Sequence, residues 1–133
     1  MQTAFRAVRT HWPNADIRVA LFNAAFGVWK PFLQLTEDEV DKVTDTNVKA
    51  AFAFAREAVS AFQAQAIDDA RGGKRGTLLF TGATASLRGN TTTAAFSAAK
   101  FALRSLSQSL NKEFGKENIH VCALAVCKLL RVR

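Results

Sequence analysis

Residues Asn90 to Leu106 read NTTTAAFSAAKFALRSL. The stretch predicts a long helix over about Thr93 to Phe114, ended by Gly115. Phe96 and Lys100 lie four apart, on one face of that helix. An ammonium one helical turn from an aromatic ring is the skeleton of an acid/base pair with one atom missing. A Tyr at position 96 would have its phenol pKa lowered by Lys100, and the pair could pass a proton to or from a substrate oxygen. Phe96 has no hydroxyl and cannot do this.

Working outward, the helix is flanked by two apolar runs, Thr77 to Thr81 (TLLFT) and Ile119 to Val126 (IHVCALAV), each expected as a buried strand. A third run, Ile17-Arg18-Val19-Ala20-Leu21-Phe22, lies within Asp16 to Ala25 and has the same character. Between it and TLLFT, Gly27 to Leu35 predicts a loop with an exposed Trp29. A long helical stretch follows, from Thr36 to about Ala70, with a bend near Thr44 to Asn47. Thr36-Glu37-Asp38-Glu39 is a capping box. Arg71-Gly72-Gly73-Lys74-Arg75-Gly76 ends the stretch, and Gly82 to Thr92 is a loop of small residues. At the start, Ala4, Phe5, Val8 and Trp12 have helical spacing, and Pro13-Asn14 stops them.

The order is a helix, then β-α-β-α-β. Strands alternating with long helices predict an α/β fold with a three-stranded parallel sheet. Right-handed crossovers place both long helices on one sheet face, leaving only the N-terminal helix to cover the other.

The 133 residues suffice for one domain with a core. Hydrophobic residues are 49% and charged residues 22%, a globular composition. No apolar run reaches the ~20 residues of a membrane span, and Met1 leads into a polar, Arg-bearing amphipathic stretch unlike a signal peptide. Cys122 and Cys127 match neither a redox nor a zinc spacing, and read as reduced thiols of a cytoplasmic protein. His11 and His120 read as structural, so no metal site is expected. The formal charge of +7 is spread along the chain, densest at Lys128 to Arg133. Without a nucleic-acid motif or Arg/aromatic interleaving, it reads as a solvated basic surface.

Several segments together resemble the short-chain dehydrogenase/reductase family. Phe22-Asn23-Ala24-Ala25 is similar to its NNAG motif, with Ala25 in place of the Gly. Asn47-Val48-Lys49 resembles its N-[LV]-K stretch, Thr81 to Gly89 (TGATASLRG) occupies the place of the segment with the catalytic Ser, and Phe96 to Lys100 matches YxxxK apart from its first residue. Gly115 to Val121 resembles the passage into the next strand. The resemblance covers about Asp16 to Val126 and implies a partial Rossmann-like fold and an NAD- or NADP-dependent oxidoreductase. It implies catalytic positions at Asn47, Ala83 or the neighbouring Thr84, Phe96 and Lys100, and cofactor-binding positions at Asn23, Ala24, Ala25 and Lys100. Strict correspondence puts the family's Ser at Ala83, though Thr84 or Ser86 could supply a hydroxyl.

The departures carry equal information. The seven glycines form no GxxxGxG or GxGxxG, so the turn that places a pyrophosphate on a helix N-terminus is missing from these 133 residues. The Pro-Gly expected after Val126 is replaced by Cys127 to Arg133. The chain thus reads as a single partial domain, 1–133, truncated at both ends, that does not itself bind the dinucleotide.

Each candidate residue has a plainer reading. Lys100 could be a solvated Lys on an amphipathic helix, Asn47 a cap at a helix break, Asn23 a turn residue, and Thr84 and Ser86 hydroxyls that satisfy a loop. Phe52, Phe54, Phe62, Phe96, Phe101 and Phe114 read as core or helix-interface packing. Two function classes follow: an NAD(P)-dependent oxidoreductase, inactive as this chain, or a non-catalytic α/β module that associates through its helices. The expected partner in either case is a second copy, met through helices 36–70 and 93–114, with Ala50, Phe54, Ala58, Ala61 and Gln65 and then Phe101, Leu106, Ser109 and Leu110 on the associating faces.

Overall fold

The computed structural model describes residues 1–67 and 69–126. Cys127 and the basic tail from Lys128 lie outside the described residues. The elements are α1 (Gln2–His11), β1 (Val19–Phe22), α2 (Glu37–Thr44), a π-helical turn (Asp45–Lys49), α3 (Ala50–Gln63), β2 (Gly76–Thr81), α4 (Ala94–Phe114) and β3 (Ile119–Leu124). The three strands form one parallel sheet in the order β1-β2-β3. Ala20 stands opposite Leu78, and Leu78 opposite Val121.

α2 starts where the sequence says it should. The Thr36 hydroxyl accepts the Glu39 N–H at 3.2 Å, and the Glu39 carboxylate accepts the Thr36 N–H at 3.1 Å. The bend foreseen near Thr44 to Asn47 is the π-helical turn, in which the Ala50 N–H reaches back five residues to the Asp45 carbonyl. The helical stretch ends at Gln63, not near Ala70. There the Gln65 amide donates to the Ile17 and Ala61 carbonyls, so the chain turns from α3 toward the start of β1.

The core lies on one face of the sheet. Ala20 and Phe22 of β1, Leu78 and Phe80 of β2 and Ile119 and Val121 of β3 are buried there. α3 covers them with Ala51, Ala55, Ala58, Val59 and Phe62, and α4 with Leu103 and Leu106. Each fully buried side chain such as Phe62, Phe80 or Leu78 contributes about 2 kcal/mol of apolar transfer. The Asn111 amide oxygen accepts the Val121 N–H at 3.1 Å, fixing the end of α4 on β3.

Both long helices thus share a face, as expected. The N-terminal helix does not cover the other face. Phe5, the one buried residue of α1, meets Phe54 of α3 edge-on at 5.4 Å, and Phe54 in turn meets Phe22. This anchor puts α1 on the same side as α3, and the opposite face keeps Val19 and Leu21 at 59% and 51% exposure. The Phe set is also divided. Phe62 is buried and Phe54 packs on the core, but Phe52 and Phe101 are exposed. Among the described residues, no helix is long and apolar enough to cross a membrane.

The Phe62 ring fills the space where a Cβ on Gly76 would stand, 2.3 Å from the nearest ring atom. Gly76→Ala should therefore lower stability by about 1–3 kcal/mol, because a fully buried ring must shift. Gly115, with open space around its Cα and a helical φ of −58°, should accept Ala with no loss. Urea unfolding of the two variants checks the contrast.

Candidate functional site

The candidate residues collect at the carboxyl end of the sheet, where open α/β sheets hold ligands. β1 delivers Asn23, Ala24 and Ala25, all exposed. β2 delivers Thr81 and, after it, Ala83 and Thr84. The Gly82 N–H donates to the Leu124 carbonyl at 2.7 Å, carrying the β2–β3 pairing past the strand end.

Lys100 is not a solvated lysine. It is 3% exposed, and its ammonium donates to the Thr81 carbonyl at 2.7 Å. The same ammonium stands 5.7 Å from the centre of the Phe96 ring, within cation–π range. Burial pushes the Lys100 pKa below the ordinary lysine value. Among the described residues no carboxylate is bonded to it; its partners are a carbonyl dipole and a ring face.

Asn47 is wholly buried in the π-helical turn. Its amide oxygen accepts the Phe26 N–H at 3.0 Å and its amide nitrogen donates to the Phe26 carbonyl at 2.6 Å. Both polar ends are thus used on one backbone residue of the loop after β1. The side chain neither caps the helix break nor points at Lys100's partners; it clamps that loop. The loop is tied twice more. The Lys30 N–H donates to the Thr92 carbonyl at 3.0 Å, and the Lys30 ammonium pairs with Glu39, whose pKa this contact lowers. Thr92 holds a left-handed φ of 63°, a conformation that costs a β-branched residue about 1–3 kcal/mol.

The clamped loop lays Trp29 beside Phe96, ring centres 5.2 Å apart. Gly27 makes the approach possible, since a Cβ there would stand 2.5 Å from the Trp29 ring. With Ala83, Thr84 and Arg88, the two rings line a hollow of about 350 Å³. The structure thus brings Phe96, Ala83 and Thr84 together in one hollow, with Lys100 behind Phe96. Asn23, Ala24 and Ala25 do not line it. Ser86 is a loop brace, 2% exposed, its hydroxyl accepting the Ala83 N–H at 2.9 Å. Ser97 fixes the same turn from α4 by donating to the Ala85 carbonyl at 2.9 Å. Sequence reading missed Trp29 and Arg88 as members of the site; Trp29 belongs to no motif and is placed by its loop's tether, while Arg88 lies within TGATASLRG but was not singled out there.

Comparison with known proteins fits this arrangement. The family model described as short chain dehydrogenase matches residues 1–128. The chain belongs to the short-chain dehydrogenase family. A curated relative, a 3alpha-hydroxysteroid dehydrogenase of Mediterraneibacter gnavus, is 31% identical over 118 residues, which are 89% of this chain and 43% of that protein. A short-chain dehydrogenase from Rhodopseudomonas palustris is 37% identical, with a TM-score of 0.76 over 90% of this chain and 51% of the other. The fold is also that of a gluconate 5-dehydrogenase from Burkholderia cenocepacia in complex with NADP and tartrate, at 19% identity and a TM-score of 0.80, covering 94% of this chain and 45% of that one. It is likewise that of a 4-hydroxyisoleucine dehydrogenase complexed with NADH and succinate, at 24% identity and a TM-score of 0.75, over 96% and 57%. The chain spans about half the length of these relatives.

Lys100 is committed inward to Thr81, and the 133 residues hold no glycine-rich turn to cradle phosphates.

The buried ammonium also predicts a pH dependence. Because the folded-state pKa of Lys100 is lowered, the unfolded chain keeps a proton over a range where the folded chain has lost it. Stability then rises with pH in that range, up to the ordinary lysine pKa of about 10.4. Below the folded-state pKa, the buried charge penalises folding in full. Lys100→Met should flatten this alkaline rise relative to the parent chain. Lys42 and Lys49, whose pKa values are raised by Asp38 and Asp45, are present in both and cancel. Urea midpoints measured from neutral pH to the lysine range check it.

Proposed function

We propose that the chain carries the substrate-facing part of an NAD(P)-dependent short-chain oxidoreductase site, and that it does not turn over as these 133 residues. The observation that carries the reading is the buried Lys100 ammonium behind Phe96, a ring with no hydroxyl to share a proton with it. Lys100 and Asn47 hold the family's positions; Phe96 and Ala83 stand where its proton donor and its carbonyl-binding hydroxyl would be. Thr84, on the wall of the same hollow, is the nearest remaining hydroxyl to such a role. A dinucleotide, when bound, supplies the hydride; the floor for its phosphates comes from residues that the family has and this sequence does not. The bare face around Val19 and Leu21 supports the same view, since apolar strands of this kind are normally covered on both sides.

Within this reading the chain's own residues do three things. Asn47 holds the loop that presents Trp29. Trp29 and Phe96 form the aromatic wall of the hollow. Lys100 braces the carboxyl end of β2 through Thr81.

The test is Phe96→Tyr in two lengths of chain. In the 133-residue chain it should give no dehydrogenase activity, and calorimetry should find no micromolar affinity for NAD(H) or NADP(H). In a chain completed at both ends from the Rhodopseudomonas palustris relative, the same substitution should raise activity by about 100-fold or more, the usual size of a proton-transfer contribution. Activity in the short variant, or no gain in the completed one, would overturn the reading.

A second reading, association without catalysis, is favoured by one observation. Between α3 and α4 runs a groove of about 510 Å³ lined by Phe52, Arg56, Val59, Leu106, Leu110 and Phe114. Phe52 is 56% exposed there, whereas Ala58 and Ala61, expected on the associating face, are buried against the sheet side. In this reading the associating face centres on Phe52 and Arg56 instead. A second copy seated on this groove would bury the ring, and light scattering at micromolar concentrations should show a dimer that Phe52→Asp abolishes. A monomer in the parent chain would end this reading.

A further inference from the structure

We propose that the hollow beside Phe96 binds an amphipathic carboxylate, an aryl or short alkyl acid with its apolar end against Trp29 and Phe96 and its carboxylate on Arg88. The inference rests on the reading of this hollow as the substrate side of the site, and it deepens that reading by naming the ligand's chemistry.

The inner wall is apolar. Phe96 and Ala83 offer no side-chain hydrogen bond, so a ligand hydroxyl or carbonyl placed against them would leave a desolvated polar atom without a partner. A ring or alkyl chain placed there meets two aromatic faces 5.2 Å apart at their centres, one of them Trp29 at 62% exposure. The volume of about 350 Å³ suits a small molecule, at the low end of ligand pockets.

The mouth is cationic. Its other polar side chains are already engaged. The Asn90 amide oxygen accepts the Thr91 N–H, and the Thr93 hydroxyl accepts the Asn90 N–H and donates to the Asn90 carbonyl. Thr84 has a partner too. Arg88 differs. Its backbone is held by the bond from its N–H to the Thr84 carbonyl at 3.2 Å, yet its exposed guanidinium makes no ion pair or hydrogen bond with any described residue. Among the described residues no Asp or Glu lines the hollow. A planar guanidinium at the rim of an apolar hollow matches a carboxylate through two parallel N–H bonds. One guanidinium is a sparse set of donors for a phosphate ester, which favours the carboxylate.

The experiment uses the full 133-residue chain carrying Trp12→Phe, which leaves Trp29 as the sole tryptophan reporter. Phenylacetate and hexanoate are titrated at neutral pH, with phenylacetamide and benzyl alcohol as uncharged counterparts, and Trp29 fluorescence is read. Saturable binding of the acids, about tenfold tighter than of the amide, is expected, and Arg88→Gln should erase that preference. Equal affinity for acid and amide, a preference that survives Arg88→Gln, or no saturable change would each overturn the proposal. No dinucleotide and no turnover enter this measurement. An acid-binding hollow in a chain whose completed Phe96→Tyr form stays inactive would sink the oxidoreductase reading and keep this one; the reverse pair of results would do the opposite.

Discussion

The bond from the Lys100 ammonium to the Thr81 carbonyl, 2.7 Å long and almost closed to solvent, is the constraint around which the carboxyl end of the sheet is arranged. A buried cation without a paired carboxylate is costly, so its surroundings must supply negative potential by other means. Here a carbonyl at the end of the central strand and the face of Phe96 do so. The bond fixes where α4 sits along β2, and with it where Phe96 projects. Ser97 on the same helix then brings the Thr84–Ser86 turn against α4, and the Phe96 ring gives Trp29 a surface to lie on.

The sequence announced most of this fold because its elements obey local rules. Thr36 and Glu39 are three apart and face free N–H groups, and the helix starts there. TLLFT and IHVCALAV pair in register as parallel strands. Phe96 and Lys100 do share a face. The failures have tertiary causes. The stretch after Gln63 has helical composition, but Gln65 must reach the Ile17 carbonyl, and the helix ends to let it. α1 was expected across the sheet, yet Phe5 finds its apolar partner in Phe54 on the near side. Asn47 was legible as a special residue in a helix break, but its clamp on Phe26 joins positions 21 residues apart, and no local pattern encodes that. Trp29 was invisible for the same reason.

The β1 run teaches a related lesson. Ile17 to Phe22 has the continuous apolar character of a strand buried on both faces. Only Ala20 and Phe22 are buried, while Val19 and Leu21 face outward. The pattern is thus a statement about a two-sided sheet, and half of that statement has its counterpart in these helices.

Phe96 and Ala83 together form one apolar wall of the hollow. A hydroxyl at only one of the two positions would find no side-chain partner at the other, and a buried polar group left unpaired costs about 1–3 kcal/mol. With both positions apolar, the wall is consistent with itself: a ring, a methyl group and the indole of Trp29 meet without an orphaned donor. The one hydroxyl that remains deep in the turn, on Ser86, is occupied by the Ala83 N–H. Such a surface does not poise a proton; it receives carbon. Lys100 lies behind Phe96, bound inward to the sheet, and Arg88 stands at the hollow with its side chain exposed. Phe96 and Ala83 on one side and Arg88 on the other thus divide the hollow into an apolar wall and a charged rim.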